Sequence, residues 1–455
     1  MKKKKNFYSF ILVLILLVIV GFFAVKMDIF KENSIEILTE DVIYNNLKSP
    51  VSLHIKDDKK GIKNVKIVLK KDSNDTGLVL VDEKIKDKKD LLLQVELPKA
   101  AYKEKLKSYI LELEVSNGSF LSFLGNKTQK QIVVLIDEIN PKINILSRSY
   151  SIEKGGAASV VFRSTDENLD EVYIETNGSK KFKAFPYIKD GYYAALIAWD
   201  AREENFKPFV IAKDKAGNIS KQPIDYLLSN RNYRTSNIAL NDRFLEGKIK
   251  DLASQYSNDS DLSLLEQFKF VNETLRLANE DLIRKITSEP REEKIENFKL
   301  NLFLPLKNAA KVADFADHRF YSYKEQFVSD SYHMGLDLAS VAKAPIISSN
   351  QGEVVFAGEN GIYGLNLILY HGFGVYSLYG HCSSKNVDEG EFVNVSNEIA
   401  NTGTSGLALG DHLHFGVLVQ GVETRPEQWQ DRKWIENNIY KVLDEGKKMI
   451  TGGGI

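Results

Sequence analysis

The sequence predicts a mainly β chain: two β-sandwich modules, a helical segment, and a further β-rich region that carries the chemistry. Three observations predict it. Short runs of alternating polar and apolar residues recur from about 35 to 230, separated by polar turns. The apolar period then changes to three and four residues over 240–288. Alternation returns after 301, and six of the seven histidines (318, 333, 371, 381, 412, 414) fall in that last region.

In chain order, residues 2–5 are four lysines, and Phe7–Val25 is nineteen residues without a charge. At about 1.5 Å per residue such a helix nearly spans a hydrocarbon core of about 30 Å. A cleaved signal peptide is the competing reading, but its apolar region is usually shorter and no A-x-A-like site follows in VGFFAVKM. The expectation is an uncleaved transmembrane anchor over 7–25, with 1–6 as a cytoplasmic tail. The positive-inside rule then puts everything after Lys26 outside. The expected location is the cytoplasmic membrane, single-pass, with the bulk of the chain in the periplasm or cell-wall space. The single cysteine, Cys382, excludes an internal disulfide framework and fits any compartment. A formal net charge of −1 gives no reason to expect nucleic acid as a partner.

Residues 35–137 hold runs such as VSLHI, VKIVL, LLLQVEL, YILELEV and QIVVLI, whose spacing predicts a β-sandwich. A second set (KINILS, ASVVFRS, EVYIET, YYAALIAW, FVIAKD) predicts another such module over 138–230. Its Asn140-Pro141 entry and Ala216-Gly217-Asn218 exit resemble bacterial Ig-like modules. His54, alone in an alternating strand, reads as an ordinary sheet residue. Neither module shows catalytic residues, and both read as spacers or binding modules.

Residues 231–300 read as helical. Leu264, Leu265, Phe268, Val271, Leu275, Ala278, Leu282 and Ile286 recur at helical steps, which predicts an amphipathic helix. DRFLEGKIKDLASQY predicts a shorter helix before it, with Ser257-Asn258-Asp259-Ser260 as the break and cap region. Such a pair either packs on its neighbours or acts as a latch over the site downstream.

That site is built on His333-Met334-Gly335-Leu336-Asp337 and His412-Leu413-His414. On a strand, alternate residues share a face, so His333, Gly335 and Asp337 are expected on one side and Leu336 and Leu338 in a core. His412 and His414 share a face by the same rule. Two neighbouring strands thus present nitrogen and oxygen ligands to one cation. Imidazoles with one carboxylate suit zinc, and three protein ligands with an open fourth position is a catalytic arrangement. No helical HExxH motif is present, and Gly335 argues against a helix here.

HMGLDLA, YGH at 379–381 and TGTSGLALGDHLHFGV at 402–417 together resemble the M23 (LytM-type, lysostaphin-like) zinc endopeptidases of bacterial cell walls. The resemblance covers about residues 301–430 and implies an antiparallel-β peptidase domain. It implies His333, Asp337 and His414 as zinc ligands and His381 and His412 as the catalytic pair. The chain departs from the family pattern at Gly416, where many members carry Glu, and at Arg425-Pro426, where they carry Asn-Pro. Neither position is a ligand.

FADHRFYSYKEQ reads as a loop just before the first motif, in which Arg319, Tyr321 and Tyr323 either line a substrate groove or build a turn. His318 in that stretch and His371 beside Gly372 read as structural. Cys382 is needed neither as ligand nor as nucleophile. Residues 431–455 predict a C-terminal helix and tail, with Trp429, Trp434, Ile435 and Ile439 packing on the domain.

The reading that follows is a membrane-anchored zinc metalloendopeptidase, with peptidoglycan stem or bridge peptides as the substrate that the resemblance implies. Its partners are peptidoglycan, the membrane through the N-terminal helix, and a regulatory protein. The runner-up is a catalytically silent LytM-like activator of other wall hydrolases, against which the intact ligand set weighs. A structural wall-binding protein is a third class, and it would give zinc no role.

Overall fold

The computed structural model describes residues 34–58, 61–98, 106–117, 127–177, 180–291 and 294–452. The anchor expected over 7–25 lies outside them. Among the described residues, no helix is long and apolar enough to cross a membrane. The chain is mainly β and divides into two compact units: one running up to Asn140 with Glu167–Asp170 and Lys213–Ile219, the other comprising Pro141–Asp166, Glu171–Ala212 and the residues from Ser220.

The first unit is a sandwich. A three-stranded sheet (Ile35–Ile37, Val51–Asp57, Asp90–Val95) faces a five-stranded one whose central strands are Ser108–Asn117 and Ile62–Lys70. Strict alternation makes it so: Val51, Leu53 and Ile55 meet Val65, Ile67, Leu111, Leu113 and Val115 in one dry layer. His54 points outward from that layer to Asp90, with Nε2 2.9 Å from Oδ1.

The second unit begins with two four-stranded sheets, one centred on Ala157–Thr165 and Lys189–Ala198, the other on Leu169–Thr176 and Pro208–Asp214, of which Leu169–Asp170 and Lys213–Asp214 are counted with the first unit. It then continues without a break into the last region. The boundaries expected at 230, 300 and 430 do not separate independent cores. Phe162, Phe185, Leu196 and Trp199 share one buried cluster with Leu336, Leu367, Phe373, Val375, Leu413, Phe415 and Trp429. The module of 141–230 is therefore not a loose spacer. Lys183 N–H donates to Gln420 Oε1 (2.7 Å), and Phe185 packs on Phe373 with ring centroids 5.6 Å apart. Arg425, one of the two departures from the family pattern, pairs with Glu153 across this junction (3.2 Å).

The C-terminal helical run is capped by Asp431, whose side chain accepts from Lys433 and Trp434 N–H. It lies on the 141–230 module rather than only on the neighbouring sheet. Ser147 Oγ donates to Val442 O, and Tyr187 O–H donates to Leu443 O. Gly446 allows the approach, since a Cβ there would sit 2.7 Å from Val161 Cγ1.

The centre of the second unit is an eight-stranded antiparallel sheet. Ala310–Ala313, Leu336–Ala339, Leu413–Val419, Val375–Cys382, Leu365–Tyr370 and Gly352–Glu359 run side by side in that order. The central strands Leu365–Tyr370, Val375–Cys382 and Leu413–Val419 are buried on both faces, as the middle of a sheet covered on both sides requires. Leu367, Leu369, Val375, Val417 and Val419 face the 141–230 module. Ile368, Tyr370, Tyr376, Leu378 and Leu418 face the helices.

Those helices are Asp242–Tyr256 and Leu264–Thr287 by their combined spans, each containing one wider turn. They bury Leu245, Ile249, Phe268, Val271 and Ile283 on the second face. The break between them reaches Leu262, beyond the expected Ser260, because Ser263 completes a capping box with Glu266 and takes the N-cap. The expected helical segment is also not helical throughout. Thr235–Ala239 is a strand, paired in parallel with Asp317–Tyr323. The expected loop at 315–326 is likewise a hairpin: Asp317–Tyr323 pairs with Gln326–His333 around Lys324 and Glu325, both at positive φ.

Candidate metal centre

Three neighbouring strands and one hairpin bring the histidines together. Asp337 on Leu336–Ala339 lies directly across from His414 on Leu413–Val419, and His414 lies across from Gly380 on the next strand. His333 arrives differently from the sequence expectation. It is the last residue of the hairpin strand Gln326–His333, and Met334-Gly335 forms a bend before the next strand starts at Leu336. His333 and Asp337 therefore come from two different sheets that meet at this bend. Gly335 is required there because His414 fills the space: a Cβ would lie 2.6 Å from His414 Nε2 and 2.8 Å from Phe415 O.

The result is a compact triangle. His333 Nε2 is 2.9 Å from Asp337 Oδ1 and 3.0 Å from His414 Nδ1, which is 3.0 Å from the same carboxylate oxygen. His333 Nδ1 lies 2.8 Å from Asp314 O and must carry its proton to donate there, so Nε2 offers a lone pair to the triangle. Three acceptor atoms this close are the face of a cation site. A tetrahedral ion with bonds of about 2.0–2.1 Å has ligand–ligand edges of about 3.3 Å, close to those seen. His333 and His414 are buried and Asp337 nearly so.

Burial alone would raise the Asp337 carboxyl, but the His333 and His414 imidazoles outweigh it and hold it well below the usual carboxylate range. Burial pushes His414 down to about 4, against the hydrogen bond to the Asp337 carboxylate, which favours the charged imidazole.

His381 and His412 flank the triangle. Their ring centroids are 4.8 Å apart, and His381 is 5.8 Å from His414. His381 Nδ1 lies 2.8 Å from Ser405 O and His412 Nδ1 lies 2.7 Å from Gly410 O, so each donates to a carbonyl and presents Nε2. His412 Nε2 is 3.6 Å from Asp337 Oδ2. Burial, then the neighbouring His414 and His412, push His381 down to about 3. His381 reaches the site against strand alternation. Tyr379, two residues earlier, points into the opposite core. A register shift at this end of the strand and a φ of +62° at His381 turn the imidazole back to the metal side.

The triangle forms part of the wall of a cavity of about 510 Å³. Arg319 and Tyr321 line it, whereas Tyr323 does not: its O–H donates to Asp242 Oδ1 (2.7 Å). Arg319 is held by Asp317 (3.2 Å). Sequence reasoning missed the opposite lining, Leu240, Asn241, Phe244 and Arg276, because nothing in a helical period says which of its residues meets a distant cleft. Among the described residues the helices contribute no atom to the ligand triangle. They pack on the central sheet, the first of the two alternatives, and form a wall of the cavity.

The remaining histidines have other work. His318 sits on Tyr332 (ring centroids 4.0 Å) and pairs with Asp330 (2.6 Å). His371 is bound to Gln351 O and Ser377 Oγ, with burial pushing it down to about 4. Cys382 is buried and unpaired, its thiol pushed up to about 12 by burial.

Residues 331–426 match the model of peptidase family M23. DD-carboxypeptidase/endopeptidase Mpg of Neisseria meningitidis is 33% identical over 94 residues, 21% of this chain and 22% of that protein. Murein hydrolase activator EnvC of Escherichia coli is 30% identical over 112 residues, 25% of this chain and 27% of that protein. The chain thus spans about a quarter or less of the length of these curated relatives. A solved zinc-containing peptidase from Vibrio cholerae aligns at 13% identity with a TM-score of 0.28, covering 70% of this chain and 81% of that one.

Proposed function

From residues 331–426 as a family M23 peptidase domain of the LytM type, we propose that the chain is a zinc-dependent endopeptidase that cuts peptide cross-links or stem peptides of peptidoglycan. The observation that supports it most is the triangle of His333 Nε2, Asp337 Oδ1 and His414 Nδ1, flanked by two imidazoles that each present Nε2. The donor set fits zinc: two neutral imidazoles and one carboxylate leave a net charge of about +1 and an open position. Zinc held there would bring a water's pKa towards about 7 and polarise a scissile carbonyl.

The chain's own residues do the rest. Ser405 O and Gly410 O fix the tautomers of His381 and His412, so each Nε2 is ready to take a proton from the attacking water. Once protonated, an imidazole becomes a donor that holds the developing oxyanion or protonates the leaving amine. A domain of this family in an activator relative makes turnover the deciding measurement. The test is digestion of purified peptidoglycan by the full chain, with and without a chelator, scored by new peptide termini.

His333→Ala, Asp337→Ala and His414→Ala should each lose metal and activity together. His381→Ala and His412→Ala should keep the metal and lose about 10²–10⁴-fold in rate. A metal-loaded wild type that releases nothing would leave the activator reading in place.

The same proposal includes anchoring of the chain in the cytoplasmic membrane by 7–25, supported by their uncharged run after four lysines. Extraction of the full chain from membranes by alkaline carbonate would overturn the anchoring.

A further inference from the structure

Arg276 stands on the helix Arg276–Thr287, outside the residues that match the family, yet it lines the same cavity as the metal triangle. Its guanidinium donates through Nε and Nη2 (3.3 and 3.1 Å) to one neutral oxygen, Asn272 Oδ1. That oxygen is fixed: Asn272 is buried, and its Nδ2 donates to Ser329 Oγ (2.9 Å) and Asp330 O (3.2 Å). Among the described residues no carboxylate lies within ion-pair distance of Arg276. The other charges of the cavity wall are committed. Asp337 belongs to the metal triangle, Asp411 accepts from Thr402 O–H and Lys343 N–H, and Arg319 is paired with Asp317. Arg276 is therefore a cation of this wall without a carboxylate partner, rigidly mounted and half-buried. A guanidinium so placed, with donors left over, is suited to a planar anion and especially to a carboxylate held by paired hydrogen bonds.

We propose that Arg276 is a substrate-recognition residue that binds a free carboxylate of the wall peptide as the scissile bond sits over the metal. The inference rests on the peptidase reading above and adds the class of substrate: peptides bearing an unamidated carboxyl group near the cut. It also gives the helical pair a purpose beyond covering the sheet, because it supplies a recognition group that the family-matched residues lack.

The experiment uses the full chain and two walls: purified peptidoglycan, and the same material with its carboxyl groups converted to carboxamides by carbodiimide and ammonia. Initial cleavage rates and co-sedimentation are measured for wild type, Arg276→Gln and Arg276→Lys. Arg276→Gln should cut and bind the untreated wall about tenfold less well than wild type or worse, with Arg276→Lys between them. On the amidated wall all three should behave alike. An equal loss for Arg276→Gln on both walls would show only damage to the Asn272 bracket, and no loss on either would remove the role; each outcome overturns the proposal. If wild type cuts neither wall, the peptidase reading fails, and co-sedimentation still decides the role of Arg276. Preference of wild type for the untreated wall, erased in Arg276→Gln, supports it, and equal binding overturns it.

Discussion

At the scale of the residue, the site depends on one missing side chain as much as on the five present. Gly335 lets the chain bend between two sheets while His414 occupies the space beside its Cα. Gly335→Ala would push a methyl against both the His414 ring and a backbone carbonyl that cannot yield. The overpacking should cost about 1–3 kcal/mol and displace a ligand. Metal affinity should therefore fall far more than stability, as read by zinc titration beside a denaturant melt. A variant that binds zinc like wild type would mean the bend can relax. His381 carries a second lesson. Its left-handed backbone is a local strain of the kind that persists where surrounding structure over-determines it, and here it delivers an imidazole to the metal side.

At the scale of the element, the two helices are structural members of the site. They cover Ile368, Tyr370, Tyr376, Leu378 and Leu418, and Lys248 Nζ donates to Thr404 O (2.6 Å) in the loop that leads to His412. Deleting 242–287 should expose that apolar face and abolish soluble, zinc-binding protein. A latch would predict the opposite, a soluble and more active chain. Asn279 adds a bracket, its Oδ1 accepting from Ile362 N–H (2.9 Å) next to Tyr363, which packs on His414.

A part-buried charge cluster joins three segments, one of them the helix Arg276–Thr287. Arg202 faces Asp200 (2.9 Å), Glu280 (3.2 Å) and Glu423 (3.5 Å), and Lys180 stands 4.0 Å from Asp200. One guanidinium cannot serve three carboxylates equally. Asp200, which holds it by two bonds, is lowered despite burial, whereas burial pushes Glu423 up to about 7 even though Arg202 opposes it. With its folded pKa above its unfolded one, Glu423 binds a proton more tightly in the folded state. Its contribution is full below about pH 4.5 and is lost as pH rises through about 7. Glu423→Gln should remove that decline, so the variant gains on wild type between pH 5 and about 8, by up to about 3 kcal/mol. Paired chemical melts across that range check it, and parallel curves would refute it.

At the scale of the whole molecule, the module of 141–230 and the metal-bearing sheet share one core. Phe185→Ala, far from the metal, should cost about 3–5 kcal/mol and lower the temperature at which zinc is released. If the module were a spacer, calorimetry would find the metal-bearing transition unmoved. Fragments that begin at 231 or 301 should fold poorly for the same reason, because they would strip Phe185 from Phe373 and uncover this face of the sheet.

Much of this was legible in the chain. Alternation is local, so the strands of the first sandwich and of the central sheet follow from their own residues. The helical period likewise predicts Leu264–Thr287, because burial on one stripe leaves a periodic trace. The motif residues His333, Asp337, His381, His412 and His414 were singled out because their types and spacings are rare in combination. The tertiary structure decided what depends on residues distant in sequence. It set the bend that brings two sheets to one ion, the turn of His381 to the metal side, the pairing of Thr235–Ala239 with the hairpin, and the place of Arg276 in the cavity. It also merged three expected domains into one core. Periodicity records which face of an element is buried; only folding determines what buries it.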